Sequence, residues 1–204
     1  MILNDGIDYT ASWTQICNRA LGRIGATAIT DLSDGGKNAE YCGRFLPQAV
    51  EYVLGQYNFN FARRRARLAP NAEKPAFGWR EQFNYPADCI RLVKVYGGHD
   101  AAPCEGRAVP YQAENGKILA DTDELQIVYI ARPDDPNRLP EAIRDAVSTH
   151  LAYLLSTALT SNEQLIALIA AESRQALELA KKVDGEMNYD PAAAGEDFHI
   201  EARR

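Results

Sequence analysis

Three histidines, four cysteines, an Asp-Cys pair, a short acidic cluster and a run of arginines are the residues of this 204-residue chain whose types could do chemistry. The histidines are His99, His150 and His199. A metal or proton-transfer site would have to gather them from a loop, a helix and the C-terminal segment. His150 falls on an apolar helical stripe, the place of a hydrogen-bonded core or interface histidine. Cys17, Cys42, Cys89 and Cys104 form no C-x-x-C pair. Zinc sites usually draw their ligands from such close pairs, so the expectation is reduced thiols, with Cys17 and Cys42 acting as small hydrophobes.

Asp88-Cys89 could belong to a nucleophile site, but an activated thiol needs a base and an electropositive setting. No histidine stands at a recognisable motif spacing, so the reading is the start of a strand with the cysteine inward. Asp121, Asp123 and Glu124 lack the spacing and the glycine of an EF-hand loop and read as a solvated turn. No dinucleotide-binding or P-loop glycine pattern occurs, and no H-E-x-x-H or G-x-S-x-G. The expectation is a protein that is not an enzyme and has no cofactor or metal site.

Arg63, Arg64, Arg65 and Arg67 are the most unusual local feature. Guanidinium groups can meet phosphate or acidic protein surfaces. The competing reading is an exposed strand face or edge whose arginines pair with some of the 28 acidic residues of the chain. The net charge of -6 argues against a protein built to grip phosphate backbone, which needs a basic footprint. The run therefore points more to protein partners, with a nucleic-acid-binding accessory role as the alternative.

Hydrophobic spacing supplies the elements that must position these residues. Trp13, Ile16, Cys17, Ala20, Leu21 and Ile24 share one helical face, with Ser12 as N-cap and Gly25 as the stop. Tyr41 to Leu54 form a second stripe, with a kink or break expected at Pro47. Tyr57 to Phe61 alternate apolar and polar. Short segments at 82–85, 90–96, 109–113, 117–120 and 124–131 read as strands, and Asn115-Gly116 reads as a hairpin turn. Pro140 fits the first turn of a third helix carrying Ile143 to Ala158. A short turn at 160–162 leads to a fourth helix from about Glu163 to Met187, with Glu178 and Lys182 as an i,i+4 pair.

The fold class expected is α+β. A four-helix bundle (1–61 and 134–187) carries an inserted antiparallel β-rich domain (62–133) and an extended C-terminal tail (188–204). In that tail Phe198 and Ile200 are the only large apolar residues. No N-terminal basic region precedes an apolar run, so no signal peptide is expected. No stretch reaches the ~18 apolar residues of a membrane span.

The order of several motifs carries a resemblance. Ile16-Cys17-Asn18-Arg19-Ala20-Leu21-Gly22-Arg23-Ile24-Gly25 leads to Ile29-Thr30-Asp31-Leu32. Tyr57-Asn58-Phe59-Asn60-Phe61-Ala62-Arg63 follows, then Asn84-Tyr85-Pro86-Ala87-Asp88-Cys89-Ile90-Arg91 and Gly116-Lys117-Ile118-Leu119. Val128-Tyr129-Ile130 precedes a helix running from Leu151-Ala152 to Ala158-Leu159-Thr160. Over about residues 12–187 this order resembles the tail tubular protein A family, the head-to-tail adaptor of short-tailed bacteriophages and related prophages. The chain departs from the family at Tyr57, where members commonly have Trp.

The resemblance implies a helical bundle with an inserted β-domain and a structural role. About twelve copies would form a ring between the portal protein and the tail nozzle protein in the virion, after synthesis in the host cytoplasm. DNA would pass through the lumen without sequence-specific binding, and no membrane, cofactor or catalytic residue is implied. Arg63, Arg64, Arg65, Arg67, Phe198, Ile200, Arg203 and Arg204 are the candidate interaction residues.

Overall fold

Helix α1 (Trp13–Arg23) begins where Ser12 can cap it. The Ser12 hydroxyl accepts from the Gln15 backbone N–H at 3.1 Å, and the Gln15 side chain accepts from the Ser12 N–H at 3.0 Å. This reciprocal box satisfies two donors that the first turn would leave unpaired. At the other end Gly25 takes φ +69°, and the Ala26 N–H returns to the Leu21 carbonyl. A side chain with a Cβ would be strained there. The computed structural model describes residues 12–98 and 107–187.

Helix α2 (Lys37–Gly55) runs unbroken through Pro47, so no break occurs there. Gly43 and Pro47 both lie on the exposed side, where water can take the place of the bond that Pro47 cannot donate. The alternation at Tyr57 to Phe61 does not form a strand. Phe59 is fully buried, edge-on to Tyr57 at 5.2 Å, and a single 3-10 turn (Asn60–Ala62) follows. Packing of the aromatic rings on the helices overrides the local period of two.

Seven strands follow among the described residues: β1 (Arg63–Leu68), β2 (Glu81–Asn84), β3 (Cys89–Gly97), β4 (Arg107–Ala108), β5 (Tyr111–Glu114), β6 (Lys117–Ala120) and β7 (Leu125–Ala131). They form two antiparallel sheets, ordered β1-β7-β3-β4 and β2-β6-β5. Asn115 and Gly116 turn β5 into β6 with φ of 47° and 68°, the positive pair that a tight hairpin needs. Helix α3 (Glu141–Leu159) starts just after Pro140, which precedes the helix rather than occupying its first turn. Helix α4 (Glu163–Glu186) is capped by Asn162, whose side chain accepts from the Leu165 N–H at 3.1 Å. Lys181, not Lys182, is the partner of Glu178, at 2.7 Å.

Among the described residues the chain is thus mixed helix and sheet, with four helices and two small antiparallel sheets. Helix α3 packs against α1, α2 and α4. Their stripes meet in one apolar cluster that includes Ile16, Leu54, Phe59, Leu151 and Ile169. A second cluster, with Phe83, Ile118, Leu125 and Ile127, lies within the β-rich part. Strand β7 serves both. Ile127 and Tyr129 face the second cluster, while Ile130 belongs to the first. Burial on both faces explains why Leu125-Gln126-Ile127-Val128-Tyr129-Ile130 reads as a nearly continuous apolar run.

Helices and sheet are joined at a second place. Asp184, in the last turn of α4, is buried and accepts from the Asn60 backbone N–H at 2.9 and 3.1 Å. The Asn60 amide donates back to the Asp184 carbonyl at 3.0 Å. Burial raises the Asp184 carboxyl above its usual range, opposed by the Asn60 N–H and by Arg63. Asp184→Ala would leave a buried N–H unpaired, at an expected cost of about 1–3 kcal/mol in denaturant unfolding. Asp184→Asn retains an acceptor and should cost less. Equal stability of D184A and the parent would mean the junction carries no weight.

Candidate interaction surface

Strand β1 holds the arginine run, and its alternation sorts the run into two faces. Arg63, Arg65 and Arg67 are exposed, whereas Arg64, Ala66 and Leu68 are half-buried. Arg64 is engaged internally, with Nη1 2.6 Å from Asp88 Oδ2. The hydroxyl of Tyr129 donates to the other Asp88 oxygen at 3.2 Å. Burial first, and then the adjacent Asp88 charge, push the Tyr129 phenol upward. Asp88 is therefore an acceptor joining β1 to β7, and not the partner of an activated thiol.

The other arginines are held more loosely. Arg63 donates to the Asn58 carbonyl at 3.2 Å, and Arg67 lies 3.8 Å from Glu124. Arg65 makes no ion pair among the described residues. Exposed pairs of this kind contribute about 0–1 kcal/mol each, so these side chains can change partner at little cost. Arg63, Arg64 and Arg138 also line a recess of about 170 Å³ with Phe61, Ala131 and Pro133.

A second open surface lies on the other sheet. All four residues of β5 are exposed at its edge. The loop between β1 and β2 projects Phe77, which is 89% exposed, beside a groove of about 440 Å³ whose lining includes Trp79, Gln112 and Lys117. Trp79 Nε1 donates to Gln112 Oε1 at 3.2 Å. The sequence reading passed over Phe77. The only signal was an aromatic residue between Pro75 and Gly78, where a packed role is rare.

The remaining described candidates have partners within the chain. His150 is buried, stacked on Tyr52 with ring centres 3.9 Å apart, and its Nδ1 is 3.2 Å from the Ser173 hydroxyl. Cys17 and Cys42 are buried neighbours on α1 and α2. A hydrogen bond from Cys17 to Cys42, together with burial, raises the Cys17 thiol far above its usual range. Burial, followed by the Asp88 charge, likewise raises Cys89. Asp121 accepts from the Arg80 N–H, and Asp123 pairs with the Arg80 guanidinium at 2.6 Å, as a turn would require. Among the described residues no group of His, Cys, Asp and Glu side chains is placed to hold a metal, and no helix is long and apolar enough to cross a membrane. His99, Cys104, His199, Phe198, Ile200, Arg203 and Arg204 lie outside the described residues.

The surface therefore offers an arginine-bearing sheet edge and an exposed aromatic loop, both suited to recognition. Compared with known proteins, the chain matches no family model and no curated protein.

Proposed function

We propose that this chain is a structural ring subunit of the tail tubular protein A type, joining a phage portal to the tail nozzle and extending the DNA channel. The observation that carries this is the ordered set of motifs from Ile16 to Thr160, which spans the helices and the strands alike. In this reading α1 to α4 act as a four-helix bundle that packs subunit against subunit. The β-rich part and the C-terminal segment offer contact surfaces to neighbours. The open edges of β1 and β5 and the exposed Phe77 support that role, because unpaired strand edges are ready sites for pairing with another chain. The net charge of -6 also suits a lumen through which DNA slides without sticking.

Electron microscopy of the purified chain, alone and with a portal protein, tests this. Rings of about twelve subunits seated on the portal are expected. A chain that stays monomeric and leaves the portal bare at micromolar concentration refutes the proposal.

A second reading has one observation in its favour, the exposed row Arg63, Arg65 and Arg67. A nucleic-acid-binding protein using this row would bind DNA with an affinity that falls steeply with salt. Replacing the three arginines by glutamine would then abolish binding. An adaptor would show no such DNA affinity in isolation.

A further inference from the structure

The chain crosses between helices and sheet twice, and the two crossings meet. It enters the sheet through the 3-10 turn Asn60–Ala62 and Arg63, the first residue of β1. It leaves through Ala131, the last residue of β7, and reaches α3 through the 3-10 turn Pro136–Arg138. Between them lies the recess of about 170 Å³, lined by residues of both crossings. Its cations are Arg63, Arg64 and Arg138, and none of the described residues that line it is acidic. Phe61, Ala62, Ala131 and Pro133 supply apolar walls. Walls of low dielectric strengthen the attraction between an anion and nearby guanidinium groups.

Each arginine has capacity to spare, because a guanidinium carries five N–H donors. Arg63 uses one on the Asn58 carbonyl at 3.2 Å, a neutral acceptor. Arg138 pairs at 3.2 Å with Asp134, four residues earlier, and both side chains are more than half exposed. A pair of that exposure is held weakly, so Arg138 exchanges partner at little cost. Arg64 is the fixed member, held by Asp88 at 2.6 Å. The buried or half-buried carboxylates close to these arginines are committed elsewhere. Asp88 also accepts from the Tyr129 hydroxyl, and Asp184 accepts from the Asn60 N–H.

We propose that this recess binds a tetrahedral oxyanion of the phosphate class, free or as the end group of a larger molecule. Three guanidinium groups from two crossings suit a group that accepts from several directions, whereas a planar carboxylate is satisfied by one bidentate arginine. The recess is smaller than the ~300 Å³ of a site for a drug-sized ligand, so it takes the anionic group and leaves any remainder outside. Bound there, the anion joins the start of β1 to the segment before α3 and ties the two crossings together. That role gives a basic start to β1 a purpose in a chain of net charge -6. The proposal goes beyond the adaptor reading and does not rest on it.

Isothermal titration calorimetry of the full chain with inorganic phosphate, at constant ionic strength, tests it. Saturable binding with a Kd on the order of 1 mM or tighter is expected. Arg138→Gln should weaken it about tenfold or more, because a charge-assisted bond is lost. Arg67→Gln should leave it unchanged, since Arg67 lies on the same strand but does not line the recess. Both arginines are exposed, so neither substitution threatens the fold. Phenyl phosphate separates the two sources. Binding tighter than that of inorganic phosphate assigns the recess to a phosphate carried on an apolar body, and equal or weaker binding assigns it to the free ion. Absence of saturable phosphate binding overturns the proposal. Equal affinity of R138Q and the parent also overturns it, as does equal weakening by R138Q and R67Q, since the anion would then answer only the general charge of β1. Ring formation on a portal is scored separately by microscopy, so either proposal can fail alone.

Discussion

Leu151→Ala is expected to lower the unfolding free energy by about 3–5 kcal/mol. Leu151 is fully buried on α3, the helix that packs against α1, α2 and α4. Truncation there removes apolar burial and leaves a cavity that three neighbouring helices cannot all move to fill. Leu168→Ala is the control. Leu168 is 57% exposed on α4, and its loss should stay within about 0.5 kcal/mol.

The L151A variant also asks whether helices and sheets unfold together. The two apolar clusters share elements. Ile130 of β7 and Val93 of β3 pack with the helical cluster, while Ile127 of β7 and Leu92 of β3 pack with the other. Neither cluster can dissolve without exposing strands that complete the other. One cooperative transition is therefore expected, even though the chain is longer than most two-state domains. Its two tryptophans are suitable reporters. Trp13 packs against the helical cluster, and Trp79 sits in the loop before β2. Single-tryptophan versions should show coincident denaturant midpoints, both lowered by L151A. A Trp79 transition that stays in place while the Trp13 transition moves would show that the β-rich part is an independent unit.

The helices were legible because their signals are local and redundant. Ser12 and Gly25 mark the ends of α1, and the stripe Ile16, Cys17, Ala20 and Leu21 is buried as its spacing requires. The Asn115-Gly116 hairpin is equally local, since few residues tolerate its backbone angles. Tyr57 to Phe61 alternate yet form no strand, because alternation is only a prior on strand and these rings pack on the helical cluster. Strand β1 was ambiguous for the opposite reason. Four arginines in six residues give no hydrophobic period, so only its pairing with the distant β7, as in Leu68 opposite Leu125 and Arg63 opposite Ile130, makes it a strand.

The candidate surface was legible in composition but not in division of labour. The sequence marked Arg63, Arg64, Arg65 and Arg67 as a unit. Pairing with β7 splits them, turning Arg64 to Asp88 and the other three to solvent. Nothing short of register could have separated them, because a slip of one residue exchanges the two faces. Phe77 was invisible for a related reason. An exposed aromatic and a buried one look alike in sequence until the loop that carries them is placed.

Acid should weaken this protein through His150 before most carboxylates titrate. Burial lowers its pKa from 6.5 to about 4, because the charged ring would lose water and gain no counter-ion. Tyr52, Tyr153 and Ser173 surround the ring, and none carries negative charge. The unfolded chain therefore takes up a proton near pH 6.5, whereas the folded chain refuses it until about pH 4. Protons bound preferentially by the unfolded state make stability fall as pH falls. The stabilising contribution is complete above pH 6.5 and is lost progressively down to about pH 4, on the order of 3 kcal/mol in all. Asp184 works in the opposite sense. Its raised folded pKa means that the folded state takes its proton first, so acidification through that range relieves a cost. His150→Phe separates the two, because phenylalanine keeps a ring on Tyr52 and cannot titrate. Ser173 can return its hydroxyl to a carbonyl of its own helix. Denaturant unfolding of the parent and H150F at pH 7, 5.5 and 4 is the measurement. The variant is expected to lose less stability than the parent between pH 7 and pH 4, by a margin on the order of 3 kcal/mol. Parallel losses in the two proteins would show that His150 is not the source of the acid sensitivity.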